Sequence, residues 1–403
     1  MRNETINTVP ANNDASERDG LTIFMMGRGY PTKEYPLNGV FEYDQAKALA
    51  KMGHKVVFGA LDLRSIKRKR ELGYESFLQE GVQVEALNLP LGNLGKGLTQ
   101  SIRIQAFGRL YKKMVKNYGE PQVVHAQFIN VGHAATRVLT RGNAPLIYTE
   151  HFSGMNKEVL SPYLRKLGEE TYSQADNVIA VSSYLAGNMN RHFGVNPTVI
   201  PNIVDTGRFD YSDHPEGTTK NSHFQFLSVG SLQPHKETAL LIQAFYEAFP
   251  RNPEVTLKII GDGPEKESLQ KQIRSMNLQD RVQLMGQRER QEIAEEMKRS
   301  RAFVLASKLE TFGVAFIEAM AAGLPVLSLA KGGPEDFIKE KNGILIPGGD
   351  KEDLIAGMMT MVERIEGYDR KGISREAKER FSPEAIGKRL TEMYRREVEG
   401  SRR

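Results

Sequence analysis

Two glutamates, Glu310 and Glu318, interrupt SKLETFGVAFIEAMAAGLPVL (307–327), one of the most apolar stretches of a 403-residue chain that is otherwise only 39% hydrophobic. A buried carboxylate without a partner is costly, so each of them needs something to hold. Four chemistries fit the residue type: an acid/base pair, a metal site, a helix cap with a salt bridge, or ligands for hydroxyl groups. One continuous helix would separate the pair by ~12 Å along its axis and ~80° around it. A cooperating acid and nucleophile need about 5–9.5 Å. Thr311-Phe312-Gly313 instead reads as a loop feeding a helix from about Val314 to Ala322. Glu310 then lies in the loop and Glu318 one turn inside the helix. The free N–H groups of Phe312 to Ala315 form a site for an anion such as a diphosphate. The alternative is a core helix with Glu318 in a salt bridge.

Two further turns carry candidate residues. SVGSLQPHKETALLIQAF (228–245) is a strand, a glycine turn and a helix beginning near Glu237. Lys236 at that helix start can reach phosphate oxygens as a mobile point charge. In KIIGDGPEKESL (258–269), Gly261-Asp262-Gly263 closes another strand before a helix.

These residues need strands to present them. Strand candidates are 21–26, 55–60, 82–87, 123–127, 145–150, 177–182 and 197–201, then 224–230, 255–261, 281–286, 302–307 and 324–329. Helical segments such as VFEYDQAKALAKMG (40–53), closed by Gly53, separate most of them. The alternation implies α/β architecture with parallel sheets covered by helices on both faces. The length suits two domains. The polar, aperiodic stretch at 205–223 marks the boundary. Ligands of such sheets collect at the carboxyl ends of the strands.

Composition excludes several classes. With no cysteine there is no disulfide framework and no zinc-thiolate site. Residues 1–20 are polar and read as a disordered tail rather than a secretory signal. No apolar run reaches the ~18–20 residues of a membrane span. Lysine plus arginine exceed the acids by 55 − 50 = +5 overall, and by 11 − 4 = +7 within residues 64–116. LRSIKRKRELGYESF (63–77) and SIRIQAFGRLYKKMVKNYG (101–119) read as helices interleaving cationic and apolar residues. Such helices can lie on an anionic membrane surface, with Lys67, Arg68, Lys69, Arg70, Arg109, Lys112 and Lys113 facing it. The alternative is a pair of solvated surface helices.

The order VGSLxxxK, IIGDGPE, SxxETFGxxxxEAMAAGxPV, then GGPED with NGILIP, resembles the retaining glycosyltransferases of family 4 over about residues 21–400. PLNGVFEYDQAKALAKMGHKVVF (36–58) and VIPNIVD (199–205) share the resemblance. It implies the GT-B fold: Rossmann-like domains over 21–206 and 223–381, a linker at 207–222, and a C-terminal helix (382–403) returning to the first domain. It also implies transfer of a hexose or acetamidohexose from a nucleotide diphosphate, a UDP-sugar by default and GDP-mannose second, to a lipid-linked or glycan acceptor of cell-surface glycoconjugates.

By the same resemblance, Glu318 would hold the ribose hydroxyls and Glu310 the donor sugar. The amides of Phe312, Gly313 and Val314 would face the diphosphate, and Lys236 the departing phosphate. The base would lie near Gln287 and Arg288, and Asn38-Gly39 would approach the diphosphate. His151 in IYTEHFSG would sit beside the transferred sugar, with His125 as its rival. Ser231 stands where many members carry arginine, and Arg28 is a candidate substitute. No Asp-x-Asp motif occurs, so no metal or other cofactor is implied. A cytoplasmic enzyme, peripheral on the membrane and without a nucleic-acid partner, is the expectation. A non-catalytic sugar-nucleotide-binding subunit and a GT-B epimerase or phosphorylase are the alternatives.

Overall fold

The strand-and-helix alternation folds, in a computed structural model that describes residues 20–63, 72–92, 94–139, 144–211, 223–329, 331–347 and 349–401, into two sheets. The first contains β1 (Thr22–Gly27), β2 (Lys55–Asp62), β3 (Gly73–Gln79), β4 (Val82–Asn88), β5 (Val123–Gln127), β6 (Leu146–Glu150), β7 (Asn177–Ala180) and β8 (Thr198–Val199), in the order β3-β4-β2-β1-β5-β6-β7-β8. The second contains β9 (Phe224–Val229), β10 (Val255–Ile260), β11 (Val282–Gly286), β12 (Ala302–Leu305), β13 (Val326–Leu329) and β14 (Gly343–Ile346), in the order β11-β10-β9-β12-β13-β14. All pairings are parallel except β3 with β4. In both sheets the strand order reverses around the first strand, so each has a crevice at its carboxyl edge. These two parallel sheets are the GT-B architecture.

The basic helix expected over residues 63–77 is not seen in its described part: residues 64–71 lie outside the described residues, and Gly73–Gln79 is a strand that pairs antiparallel with β4 through a tight turn with positive φ at both Glu80 and Gly81. That turn matches the twist of a two-residue hairpin. Exposure alternates with period two along β3, and Phe77 on its inner face packs against Tyr30 with ring centroids 5.3 Å apart. The basic run before it hid this alternation. Lys67, Arg68, Lys69 and Arg70 lie outside the described residues, as do 1–19 of the expected tail and 212–222 of the expected linker. Among the described residues no helix is long and apolar enough to cross a membrane.

The last helix, Pro383–Ser401, packs on the helix Val40–Lys51 beside the first sheet. Ile386, Leu390 and Tyr394 are fully buried in one cluster with Leu49, Val56 and Ile147. Polar contacts fix its rotation: Tyr394 Oη to His125 Nδ1 (2.6 Å), Thr391 Oγ1 to His54 Nε2 (2.8 Å), and Asn177 Nδ2 donating to Glu397 (2.9 Å). His125 also meets Thr149 Oγ1 at 2.7 Å, so both its nitrogens are engaged inside the core. We expect Leu390→Ala to lower stability by ~2–5 kcal/mol, the usual range for a buried leucine truncation. Urea unfolding followed by circular dichroism measures it.

Candidate functional site

The loop after β12 is held in place by glycines of its neighbour. Glu310 pairs by its backbone with Gly332, and its carbonyl accepts from Gly333 N (2.8 Å). A Cβ at Gly332 would lie 2.1 Å from the Glu310 carbonyl oxygen, and one at Gly333 would lie 2.4 Å from Phe312 Cα. The glycine pair is therefore what lets the two loops touch. Gly313, at φ 95°, then turns the chain into the helix Val314–Ala321, which begins without any side-chain cap. Its first amides have no intrahelical acceptor and carry the positive end of the helix dipole.

Those amides line a cavity of about 710 Å³ between the two sheets, whose walls include Phe312 to Ala315, Glu310, Lys236, His151, Asn202 and Phe41. The Glu310 carboxylate accepts from Lys236 Nζ (2.6 Å) and Ser307 Oγ (2.7 Å). Lys236 ends a short 3-10 turn ahead of the helix Thr238–Ala248. From the first domain, Ser182 Oγ donates to the Thr311 carbonyl (2.6 Å) and Asn156 Nδ2 to Thr311 Oγ1 (3.0 Å). The loop is thus gripped from both halves.

His151 enters from the carboxyl end of β6. The buried Glu150 orients its backbone, accepting from the amides of His151 (3.0 Å) and Phe152 (2.9 Å) and from Tyr172 Oη (3.1 Å). Burial raises the Glu150 pKa, and these hydrogen bonds act against that shift. The imidazole stacks on Phe128 with centroids 4.8 Å apart. Gln127 Nε2 donates to Gln45 (2.8 Å), so Gln127 Oε1, 2.7 Å from His151 Nε2, is the acceptor and Nε2 carries the proton. Nδ1 and Asn202 Oδ1 are both buried without a hydrogen bond among the described residues. Burial, then the charge of Arg28, push the imidazole down to about 3, and the Asn202 side chain acts on it to raise its pKa. Arg28 lies 3.2 Å over the Phe128 ring and 3.2 Å from Glu42.

The remaining sequence candidates lie apart from this cavity. Glu318 is not in its lining; it pairs with Arg290 at 2.7 Å. Burial raises its pKa against the pull of that guanidinium. Gln287, Arg288 and Ser231 are exposed, and Arg288 reaches Glu292 at 3.9 Å. Asn38 donates to the Tyr30 carbonyl (3.1 Å), and Gly39 (φ 64°) precedes the helix whose Phe41 does line the cavity. Sequence reasoning missed Arg290, Gln127 and Asn202. The last lies in the quoted VIPNIVD, where a signal existed; a glutamine within a strand offered none.

Residues 39–208 match the family described as Glycosyltransferase Family 4, and residues 212–380 match Glycosyl transferases group 1. A D-inositol 3-phosphate glycosyltransferase of Segniliparus rotundus is 25% identical over 69% of this chain and 67% of its own length. A phosphatidylinositol N-acetylglucosaminyltransferase subunit of Saccharomyces cerevisiae is 25% identical over 62% of this chain and 57% of its own length. Sucrose-phosphate synthase from Thermosynechococcus elongatus superposes with a TM-score of 0.75 at 20% identity, covering 93% of this chain and 98% of that one. The Anabaena protein HepE in complex with UDP gives 0.70 at 21% identity, covering 92% and 98%.

A histidine with a folded pKa near 3 stays neutral from pH 5 to 8, so its ring resonances should not titrate there by NMR. The sign for stability follows: the unfolded imidazole takes up a proton below ~6.5 and the folded one does not. The contribution is complete above that pH and lost as pH falls towards 3. Relative to His151→Gln, wild type should therefore lose ~2 kcal/mol between pH 7.5 and 5 in urea unfolding.

Proposed function

Because the chain belongs to the family 4 glycosyltransferases of GT-B fold, we propose that it transfers a hexose or N-acetylhexosamine from a UDP-sugar, with retained configuration, to a hydroxyl of a lipid-linked or glycan acceptor. The observation behind this reading is how polar groups sort within the cavity. At one end are donors, the uncapped amides of Phe312 to Ala315 and the Lys236 ammonium, with the Glu310 carboxylate beside the ammonium. At the other are bare acceptors, His151 Nδ1 and Asn202 Oδ1. A diphosphate has only acceptors and a sugar presents hydroxyl donors, so a sugar diphosphate matches both ends in one orientation.

In the reaction the bond between anomeric carbon and β-phosphate oxygen breaks. The acceptor oxygen bonds to that carbon on the same face, and its proton passes to the departing phosphate. No protein nucleophile takes part. The helix start and Lys236 stabilise the charge that develops on the phosphate, a preorganised electrostatic role. Lys236 has three N–H donors, one committed to Glu310, leaving two for phosphate oxygens. Glu310, fixed by Lys236 and Ser307, presents its other oxygen to sugar hydroxyls, and Glu318 with Arg290 faces the ribose. A neutral His151 accepts a hydrogen bond from a sugar hydroxyl without placing a positive charge beside the forming oxocarbenium character.

Mass-spectrometric screening of UDP-glucose, UDP-N-acetylglucosamine and GDP-mannose for turnover tests the donor. Lys236→Ala should reduce kcat by ~10²–10³, the scale of removing one oxyanion donor; an undiminished rate moves the leaving-group site elsewhere. We also propose peripheral membrane docking through the helix Lys96–Tyr118, where Arg109, Lys112 and Lys113 are exposed and Lys113 lies over the Tyr74 ring. Each cation near an anionic leaflet contributes about 1 kcal/mol. Changing all three to Gln should sharply reduce co-sedimentation with phosphatidylserine vesicles, and unchanged binding rejects the idea.

A further inference from the structure

Arg290 is the first residue of the helix Arg290–Arg299, a place where the helix dipole disfavours a cation. The capping box at that helix start is made by Glu289 and Glu292, so the arginine does not serve its own helix. Its guanidinium instead donates to Glu318 Oε1 at 2.7 Å and lies 5.9 Å from the centroid of the Phe209 ring. Among the described residues no second donor reaches this buried carboxylate. We propose that Arg290 is a positioning residue of the ribose site: it fixes one oxygen of Glu318, leaves the other to the ribose hydroxyls, and keeps the carboxylate ionised against two acids of the first domain. This rests on the reading of Glu318 as the ribose ligand.

The two acids are Asp44, on the helix Val40–Lys51, and Asp205, in the segment after β8. Both act electrostatically on Glu318 and on Arg290. Burial raises the Glu318 pKa, Arg290 opposes that shift, and Asp205 and Asp44 add to it. Each acid has a cation of its own. Lys47 lies 2.9 Å from Asp44 and 3.8 Å from Glu80, and Arg208 lies 3.2 Å from Asp205. The helix Arg370–Phe381, packed on the Glu318 helix, contributes Ser374 Oγ to the Ala321 carbonyl (2.6 Å) and adds no charge to those acting on Glu318. Without Arg290 a buried carboxyl would face two acids with no counter-charge of its own, the setting in which such a group takes up a proton.

Ionisation decides how well the ribose is read. A carboxylate only accepts, which suits vicinal hydroxyls that donate. A protonated carboxyl gives up one acceptor site and the strength of a charge-assisted hydrogen bond. Arg290 need not touch the nucleotide to control this, because it acts through Glu318.

Titration calorimetry of the full chain with UDP and with 2′- and 3′-deoxy-UDP, from about pH 5 to 9, tests the role. All three ligands carry the same diphosphate, so their affinity ratio at each pH isolates the ribose contact. Wild type should favour UDP by about tenfold where Glu318 is ionised, the scale of one charge-assisted hydrogen bond. That preference should fade as pH falls through the raised pKa of the folded carboxyl. Arg290→Gln should raise by ~1–3 the pH at which it is half lost, the reach of one opposite charge at contact, and Arg290→Lys should restore much of the wild-type profile. Asp44→Asn, which leaves both partners in place, should lower that pH, and Glu318→Gln should remove the pH dependence. A profile unchanged by Arg290→Gln overturns the proposal. Equal weakening of UDP and both analogues at every pH, the mark of a purely structural ion pair, also overturns it. If Arg290→Gln does not fold, Asp44→Asn decides, and an unmoved profile again overturns the proposal. A wild type that binds UDP and its deoxy analogues alike instead defeats the ribose reading of Glu318, and the role of Arg290 with it.

Discussion

An uncapped helix start at the floor of a crevice is the constraint around which this molecule is organised. The amides ahead of Val314 have neither an intrahelical acceptor nor a capping side chain, and in a low-dielectric crevice their partial charges act at full strength. Keeping them aimed at one point requires a rigid loop before them. Three features supply it. Gly332 and Gly333 admit backbone contact where a Cβ would collide. Lys236 and Ser307 fix the Glu310 carboxylate. Ser182 and Asn156 hold Thr311 from the other domain.

Opposite this positive end, the first domain builds a neutral, acceptor-rich wall. Burial alone would leave either imidazole tautomer of His151 possible. The chain Gln45–Gln127–His151 selects one by passing donor and acceptor roles in a single direction. Glu150 fixes the backbone of the same loop from beneath. Burial first, and Arg28 second, keep the ring from protonating, while Arg28 itself bonds Glu42 and lies over the Phe128 face. The bare amides and Lys236 thus lie on one side of the cavity and the neutral imidazole on the other, the polarity on which the proposed transfer rests. A transfer that develops positive character at the sugar and negative character at the phosphate needs this polarity.

Periodicity made the parallel strands legible, since buried β-branched runs between amphipathic helices have few other solutions. It failed at β3, where a period-two face was masked by the basic residues before it, and at β14, four residues within the quoted NGILIP. The site was legible where chemistry follows chain order: Glu310, Phe312, Gly313, Val314 and Lys236 meet in one cavity, and His151 faces them. It was illegible where partners come from afar. Nothing in the spacing of Arg290 and Glu318, or of Gln127 and His151, announces contact, because each pair joins the ends of different strands or helices.

Thr311 sits between Glu310 and the helix start, so a single residue links three things: the carboxylate, the amide cluster and the first domain. Its contacts to Ser182 and Asn156 are joined by Asp336, which accepts from the Ser183 amide (2.7 Å) at the start of the helix Ser183–Phe193. A carboxylate at a helix start is favoured by the dipole, so this contact ties the second domain's GGPED loop to the first domain. The same GGPED loop supports Glu310 and Phe312 by its glycines. The relative placement of the two sheets and the geometry of the loop before Val314 are therefore set by shared residues. Separating the domains would loosen the loop that presents the amides, and ordering that loop would draw the domains together. In a fold whose two halves each supply part of one site, this coupling lets ligand binding and domain approach favour each other.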